Sequence, residues 1–380
     1  MRRTKKIRIG FTGGGTGGHI YPLLAVCDEF LAKRGVYDDT IVEMHYFGDP
    51  GIYQNEFEFR NIHVHPIIGS RLRRYMSVQN IFDIPKFFLS IFQSLVIMLF
   101  TMPDVLFSKG GPGSVPVVLS AWWYRIPVII HESDAVPGLG NRISSKFAKR
   151  ICVAFSESKT FFPESKVSLT GNPIRKELLG NRMSKEGAKN FWRMNEKLPL
   201  VLVLGGSQGS QRINSLIIEN LAELLGDIQI LHQVGKHNYQ DIEMSMKEIM
   251  APVPREFRDR YRAVGFMDVE EMKHAFSSAN VVVSRAGSGA IFEIASFNVP
   301  AVLIPLKESA GDHQRVNAYA YSKISRAQVL EEENMTVHEL QSRIHRELQN
   351  GQPTESSPNQ FFIQNSSQLI VQEINRYIAN

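Results

Sequence analysis

The sequence predicts an α/β protein built from two doubly wound, Rossmann-like domains that face each other across a cleft. Short apolar runs alternate with helix-length runs along most of the 380 residues, which is typical of parallel sheets covered by helices. Two of the apolar runs, Ile7–Phe11 and Leu200–Leu204, lead into glycine-rich segments that open a helix. The chain is also longer than one ordinary domain. A repeated unit of strand, glycine loop and helix therefore predicts two similar domains, whose ligands bind beyond the carboxyl ends of the strands.

The individual elements follow from the same alternation. The predicted strands are Ile7–Phe11, Glu43–Phe47, Val105–Phe107, Pro127–Ile130, Ile151–Phe155, Leu200–Leu204, Ile228–Val234, Val281–Val283 and Ala301–Ile304. The turn-rich segment Leu169–Arg175 marks the domain boundary. We therefore expect one domain over residues 1–172 and a second over residues 173–380, closed by an amphipathic helix at Gln364–Ile378.

Charge and cysteine content narrow the class of protein. The net charge of +5 lies in the first half: residues 1–172 hold 20 Lys and Arg against 14 Asp and Glu, and the remainder holds 23 against 24. Such an excess suits a phosphorylated substrate, an anionic membrane or nucleic acid. No zinc-finger or RNA-recognition signature is present, so nucleic acid is not an expected partner. Cys27 and Cys152 lie in apolar elements and predict neither a disulfide framework nor a zinc site.

The first glycine loop, Gly13–Gly18, is the feature around which the chain is organised. Unpaired N–H groups at a helix start, together with the helix dipole, favour phosphate or another oxyanion. The spacing also fits a dinucleotide fingerprint, but that motif requires a carboxylate about 20 residues further on, and the candidate, Asp49, is about 30 residues away. We therefore expect no nicotinamide or flavin cofactor. His19 ends the loop, either as a general base or as a structural cap.

A strongly apolar segment follows three arginines, Arg71, Arg73 and Arg74. Its uncharged part, Phe87–Pro103, is 17 residues long, shorter than the roughly 20 apolar residues of a spanning helix. Two alternatives remain open. The segment forms either a buried helix on a parallel sheet, or a helix whose exposed apolar face and arginines sit on an anionic bilayer surface.

Six motifs, the first of which is the glycine loop with His19, occur in sequence along the chain. They are Gly13–His19 with Pro22, His131–Gly138, Gly171–Arg175, Gly205–Gly209, Arg285–Gly287 with Glu293, and Asp312–Gln314 with Asn317 and Ala318. With them the chain resembles, over nearly its whole length, the MurG family of peptidoglycan glycosyltransferases. The resemblance implies the two-domain GT-B fold.

The resemblance also implies an activity and a location. It is the inverting transfer of N-acetylglucosamine from UDP-N-acetylglucosamine to the muramyl sugar of undecaprenyl-pyrophosphoryl-MurNAc-pentapeptide. The first domain would face the lipid-linked acceptor and the membrane, and the second would bind the UDP-sugar. The protein would be cytoplasmic and peripheral on the inner face of the bacterial cell membrane.

The same resemblance implies a set of substrate-binding residues. They are Thr16, Gly17, Gly18, Asp134, Arg175, Ser207, Met267, Ser288, Gly289, Ala290, Ile291, Phe292, Glu293 and Gln314. Glu293 would accept hydrogen bonds from the ribose hydroxyls, and Ser288–Phe292 would run past the diphosphate. Arg175 and Ser207 would lie near the phosphates. Met267 would pack beside the uracil, with plain core as the alternative, and Gln314 would both donate to and accept from the sugar hydroxyls.

The chain departs from the family pattern at two places. The family commonly has His-Glu-Gln-Asn where this chain has His131–Asp134, and a threonine where it has Ala290. Asp134 accepts hydrogen bonds but cannot donate when ionised, which puts amino-sugar selectivity in doubt. Loss of a hydroxyl at Ala290 would alter affinity more than function.

An inverting transfer requires a base for the acceptor hydroxyl and positive charge for the leaving UDP. His19, Glu132 and Asp134 are the candidate catalytic residues. The chain has no clustered Asp-x-Asp motif, so no metal is expected. Two rival functions remain: a UDP-sugar transferase acting on another lipid such as diacylglycerol, and a non-catalytic UDP-sugar-binding scaffold at the membrane.

Overall fold

The computed structural model of the protein describes residues 5–32, 40–69, 79–206, 209–351 and 359–378. The chain divides into two compact units. Unit 1 takes the described residues up to Arg175 and those from Ile363 onward, and unit 2 takes Lys176–Phe362. Each unit is built on one parallel sheet flanked by helices. The predicted class, two doubly wound α/β domains, is confirmed.

In its described residues, unit 1 contains a seven-stranded sheet with the order β3-β2-β1-β4-β5-β6-β7. Its strands are β1 (Lys5–Thr12), β2 (Thr40–Phe47), β3 (His63–His65), β4 (Val105–Ser108), β5 (Val128–Glu132), β6 (Arg150–Val153) and β7 (Val167–Leu169). The helices that precede Arg175 are α1 (Gly17–Ala32), α2 (Gln54–Phe59), α3 (Gln79–Thr101), α4 (Ser114–Trp123) and α5 (Leu139–Ser144).

The strand order of unit 1 reverses between β1 and β4. From β1 the chain builds outward through β2 and β3, and it then returns to place β4 on the other side of β1. The helices that follow β1 and β4 therefore cover opposite faces, and their first turns diverge. This divergence leaves a crevice at the carboxyl ends of β1 and β4. Both β4 and β5 are fully buried, so the crevice has a rigid floor.

Unit 2 repeats the arrangement with six described strands in the order β10-β9-β8-β11-β12-β13. Its strands are β8 (Leu200–Leu204), β9 (Gln229–Gln233), β10 (Tyr261–Val264), β11 (Val281–Ser284), β12 (Ala301–Leu303) and β13 (Ala327–Val329). Its helices are α6 (Lys176–Leu179), α7 (Lys185–Phe191), α8 (Gln211–Glu219), α9 (Leu221–Leu224), α10 (Lys236–Met244), α11 (Met246–Ile249), α12 (Val269–Ser278), α13 (Ser288–Phe297), α14 (His313–Ser322) and α15 (Val337–Gln349). Here the order reverses between β8 and β11.

All nine predicted strands are present, and the four strands that the sequence did not predict are the edges of the two sheets. They are β3 and β7 in unit 1 and β10 and β13 in unit 2. Edge strands cover less apolar surface than central strands. The residues of β7 and β13 are only partly buried, whereas every residue of β8 and β9 is buried. A short, partly exposed strand lacks the continuous apolar run that identifies a central parallel strand.

The last helix, α16 (Ser366–Asn375), belongs to unit 1 and corrects the predicted domain assignment. Its Ile370, Val371 and Ile374 are fully buried in the core that covers one face of the first sheet. Glu373 also pairs with Arg150 of β6, Nε to Oε2, at 2.9 Å. The helix was assigned to residues 173–380 because it follows them in sequence. Its apolar stripe instead completes the core of the other unit, which sequence order cannot reveal.

Helix α3 carries its apolar face outward. Its Ser90, Ser94 and Met98 are fully buried, while Phe88, Phe92 and Phe100 are 65%, 64% and 80% exposed. Ser90 donates its hydroxyl to the Ile68 carbonyl at 2.6 Å. The buried-helix alternative is therefore wrong for this face.

The length of α3 also decides whether the helix could span a bilayer. By length and composition its segment Ile84–Thr101, with a mean hydropathy of 1.7, is sufficient to cross a bilayer. The uncharged run Phe87–Pro103 alone had predicted a segment too short to span a bilayer. Arg71, Arg73 and Arg74 lie outside the described residues.

Candidate functional site

The site in unit 1 is assembled from the loops that follow three adjacent strands. Thr12 of β1 is in register with Ser108 of β4, and the N–H of Lys109 donates to the Thr12 carbonyl at 2.8 Å. The next strand, β5, ends at Glu132. Because parallel strands end at the same edge of a sheet, the Gly13–Gly18 loop and the loops at Lys109 and Glu132 converge there. This edge therefore carries Thr16, Gly17, Gly18, His19, Glu132 and Asp134, whose roles toward a substrate stay predictions.

His19 is held between two glycine-rich loops. Its Nδ1 lies 2.9 Å from Thr16 Oγ1, and its N–H donates to the Thr16 carbonyl at 2.9 Å. A Cβ at Gly14 would lie 3.0 Å from Nδ1, and a Cβ at Gly111 would lie 3.7 Å from Nε2. The ring therefore leaves little room for a side chain at Gly14, while at Gly111 it is the φ of +92° that favours glycine.

The surroundings of His19 keep its ring uncharged. The pKa of His19 is lowered to about 4: burial is the largest cause, the charge of Lys109 adds to the lowering, and the charge of Asp134 opposes it. A neutral imidazole at neutral pH can accept a proton.

Glu132 has a structural role that accounts for its burial. One carboxylate oxygen accepts from the N–H of Asp134 at 2.9 Å. The other accepts from the N–H of Gly138 at 3.1 Å and from Asn141 Nδ2 at 2.9 Å. Burial raises the pKa of Glu132, with the charge of Asp134 adding to the shift. A buried carboxylate with three donors fixes the loop that carries Asp134, which leaves His19 and Asp134 as the stronger candidates for the base.

Lys109 is a residue of this site that the sequence analysis missed. It is 1% exposed, and its Nζ donates to Ser133 Oγ at 2.8 Å. The available signal was Lys109-Gly110-Gly111, a lysine and glycines directly after an apolar strand. Gly110 and Gly111 have φ values of +86° and +92°, and a Cβ on Gly110 would meet Asn141 at 2.6 Å.

Arg175 belongs to unit 1. Its guanidinium carbon lies 4.3 Å from the centre of the Tyr21 ring, and Tyr21 makes an edge contact with Tyr53 at 5.4 Å. The Tyr53 hydroxyl lies 2.9 Å from where a Cβ of Gly17 would be. Arg175 therefore sits beside the first glycine loop. Its predicted contact with the donor phosphates stays a prediction.

The second glycine loop follows β8 of unit 2 and leads into α8. Gly209 has a φ of +80°, and a Cβ there would lie 2.1 Å from the Val234 carbonyl oxygen. Ser210 accepts from Arg285 Nη2 at 2.7 Å, and Arg285 pairs with Glu332 at 2.5 Å. Arg285 thus joins this loop to the end of β11. Ser207, the predicted phosphate contact, lies outside the described residues.

Helix α13 begins directly beyond β11 and carries most of the predicted nucleotide contacts. Ser288, Gly289 and Ala290 form its partly exposed first turn, where N–H groups lack intrahelical partners. Ile291 and Phe292 are fully buried, and the ring of Phe292 packs 4.6 Å from that of Phe361. Their side chains belong to the core, which limits any ligand contact at these two positions to the backbone.

Glu293 and Met267 occupy different environments in unit 2. Glu293 is partly exposed in the second turn of α13, which agrees with a role toward a ligand. Met267 is 2% exposed, as its plain-core alternative predicts. Its N–H donates to Gln233 Oε1 at 3.1 Å, and Gln233 Nε2 donates to the Gly206 carbonyl at 3.3 Å. Gln233, which the sequence analysis did not select, therefore ties the Met267 segment to the second glycine loop.

Gln314 lies at the start of α14 and is already partly engaged. Its Oε1 accepts from the N–H of Leu306 at 3.0 Å. The side chain was expected both to donate to and to accept from a sugar. Because the oxygen already accepts from this backbone N–H, we expect the amide NH₂ to be the group that meets a sugar hydroxyl. Within the described ranges, no cluster of three His, Cys, Asp or Glu side chains is arranged to hold a metal ion.

The fold is shared with enzymes of nucleotide-sugar chemistry. The crystal structure of Acinetobacter baumannii MurG superposes with a TM-score of 0.71 at 24% identity, covering 97% of this chain and 99% of that one. UDP-GlcNAc 2-epimerase from Neisseria meningitidis bound to UDP-GlcNAc gives 0.65 at 14% identity, with 98% and 100% covered. At these identities the likeness defines the fold class: a GT-B arrangement of two Rossmann-like domains.

The family is defined by sequence. Residues 9–153 match the glycosyltransferase family 28 N-terminal domain, and residues 200–374 match its C-terminal domain. A relative from Shouchella clausii, named UDP-N-acetylglucosamine–N-acetylmuramyl-(pentapeptide) pyrophosphoryl-undecaprenol N-acetylglucosamine transferase, is 38% identical over 91% of this chain and 92% of its own. A Clostridium kluyveri relative of the same name is 40% identical over 87% and 88%. The chain belongs to glycosyltransferase family 28.

Proposed function

We propose that this chain transfers N-acetylglucosamine from UDP-N-acetylglucosamine to the muramyl sugar of undecaprenyl-pyrophosphoryl-MurNAc-pentapeptide, with inversion at the transferred carbon. The observation that carries the proposal is the match to relatives named for this reaction, such as those from Shouchella clausii and Clostridium kluyveri, over most of both chains. The groups that the reaction requires are present at the strand ends of each unit.

Unit 2 supplies the donor site. The first turn of α13 at Ser288, Gly289 and Ala290 offers N–H groups to the diphosphate, whose charge the helix dipole favours. Glu293, one turn further, accepts hydrogen bonds from the two ribose hydroxyls. The NH₂ group of Gln314 donates to a sugar hydroxyl. As the bond to the sugar breaks, the electron pair goes to the leaving UDP, whose negative charge these donors stabilise.

Unit 1 supplies the acceptor chemistry. The acceptor hydroxyl forms the new bond to the anomeric carbon and gives its proton to His19, whose neutral ring accepts it. Asp134 lies near enough to act on the charge of His19 and so stabilises the imidazolium that forms. Thr16, through its hydroxyl on Nδ1, fixes the orientation of the ring.

Release of UDP on mixing with the lipid-linked acceptor tests the function. We expect UDP to appear with undecaprenyl-pyrophosphoryl-MurNAc-pentapeptide and not with diacylglycerol. Release with diacylglycerol alone would establish the rival lipid transferase. Binding of UDP-N-acetylglucosamine without release on either acceptor would indicate a non-catalytic scaffold.

We further propose that the protein lies at the cytoplasmic face of an anionic membrane, where its lipid acceptor resides. The support is α3, which packs its serines inward and presents phenylalanines to the outside. An outward apolar face next to a basic half of the chain favours a bilayer surface over water. Trp122 and Trp123 of the neighbouring α4 are 52% and 70% exposed, and such amphipathic rings favour the interfacial region.

A further inference from the structure

A buried ammonium group lies beside the candidate base of unit 1. Lys109 is 1% exposed, directly after β4. Its backbone is fixed by the hydrogen bond to Thr12, and its Nζ donates to Ser133 Oγ at 2.8 Å. Burying an ammonium group is costly unless other charges and hydrogen bonds compensate it. One hydroxyl is weak compensation, so the neighbouring charges must contribute.

The titratable neighbours of Lys109 come from the first glycine loop and from the end of β5. A Cβ at Gly13 would lie 3.4 Å from Lys109 Cβ and 3.8 Å from His19 Cβ, so Lys109 and His19 flank the same glycine. The carboxylates of Glu132 and Asp134 act favourably on the ammonium group. The ring of His131 bonds the Gly171 carbonyl through Nε2. Burial and, after it, the charge of Lys109 both disfavour the charged form of that ring.

We propose that Lys109 is a positioning residue for the transfer reaction, whose ammonium group holds the Ser133 hydroxyl and keeps the adjacent His19 ring uncharged until it receives the acceptor's proton. This inference rests on the proposed function. A cation beside an imidazole disfavours the imidazolium form, and an anion favours it. Lys109 therefore lowers the proton affinity of His19 and Asp134 raises it. The balance of the two charges sets how readily the ring accepts a proton.

Lys109 keeps its positive charge over the pH range in which His19 titrates. Burial lowers the pKa of Lys109 to about 8, which remains above the range in which His19 titrates. Lys109 therefore carries most of its charge at neutral pH and throughout the range in which the His19 ring titrates. When the acceptor's proton reaches His19, the negative charge of Asp134 offsets the repulsion from Lys109.

The direct test is an NMR titration of the His19 ring in the full-length enzyme without substrate, with the signal assigned by its loss in His19→Asn. Replacement of the cation by a side chain of similar length, Lys109→Met, should raise the proton affinity of His19 at least about threefold, since a nearby like charge is removed. Asp134→Asn should lower it. The matched control, Lys146→Met, removes an exposed lysine of the same unit and should change nothing.

The proposal fails if Lys109→Met leaves the titration unchanged or lowers the affinity. If Lys109→Met shows no thermal unfolding transition and is therefore not folded, the test rests on Asp134→Asn alone. An unchanged or raised proton affinity of His19 in Asp134→Asn then overturns the proposal. The acidic limb of kcat/KM should move to higher pH in Lys109→Met, in step with the NMR midpoint, while the KM for UDP-N-acetylglucosamine stays within about twofold. A shifted titration with an unmoved acidic limb would show that the charges are coupled as described but that His19 is not the base.

Discussion

Thr16 Oγ1 lies 2.9 Å from His19 Nδ1, so the ring that ends the first glycine loop is oriented by a residue of the same loop. The contact leaves Nε2 as the ring nitrogen nearest the loop that follows β4, at Gly111. A base oriented in this way can accept a proton through Nε2 when the neutral ring carries its hydrogen on Nδ1, which then donates to Thr16 Oγ1.

His19→Asn should lower kcat by about 10²- to 10⁴-fold, the usual contribution of a positioned base. UDP affinity should change only a few-fold, because the nucleotide contacts other than Arg175 are assigned to unit 2. Burial lowers the pKa of His19 to about 4, below the ordinary value of about 6.5. The wild-type rate should therefore fall as pH drops toward that lowered value, and this limb should vanish in the variant. Near-normal turnover in His19→Asn would transfer the role to Asp134.

Glu132→Gln should destabilise unit 1 by about 1 to 3 kcal/mol, because an amide NH₂ would face donors that now bond a carboxylate. The thermal midpoint measures the effect, and exposed Glu164→Gln serves as the control. A variant that kept its thermal midpoint but lost turnover would indicate a catalytic role for Glu132 instead.

Glu293→Ala should weaken UDP binding by about 1 to 3 kcal/mol, the loss expected when hydrogen bonds to a charged group are removed. Calorimetry with UDP and with 2′-deoxy-UDP tests the ribose assignment. The deoxy ligand should already bind less tightly to the wild type and should lose less on mutation. Equal losses for the two ligands would exclude the ribose contact.

Replacement of Phe88, Phe92 and Phe100 by serine should abolish sedimentation with anionic vesicles, because the outward face of α3 would lose its apolar area. Met244→Ser with Ile324→Ser removes exposed apolar side chains of unit 2, 78% and 51% exposed, and should leave sedimentation unchanged. Salt should weaken wild-type binding, since basic residues near an anionic surface contribute about 1 kcal/mol each. Equal sedimentation of the triple variant and the wild type would contradict the membrane proposal.

The sequence by itself determined the parts of the protein that local chemistry specifies. Central strands such as β8 are continuous apolar runs because both faces are covered, and the Gly13–Gly18 loop is recognisable because a backbone that approaches an anion requires glycine. His19 was selected because it stands where that loop ends and a helix begins, and Glu293 was selected through the resemblance to the MurG family.

Tertiary structure decided what depends on residues distant in sequence. The edge strands form because a neighbour supplies hydrogen bonds. Helix α16 joins unit 1 because its apolar stripe fits a core that includes Leu23 and Phe30, about 340 to 350 residues earlier in the chain. Lys109 looks like a surface lysine in sequence, yet it is buried where β1, β4 and β5 end together. Burial and charge at that edge are sums over several loops, so the state of His19 could be established only once the sheet had brought Lys109 and Asp134 to it.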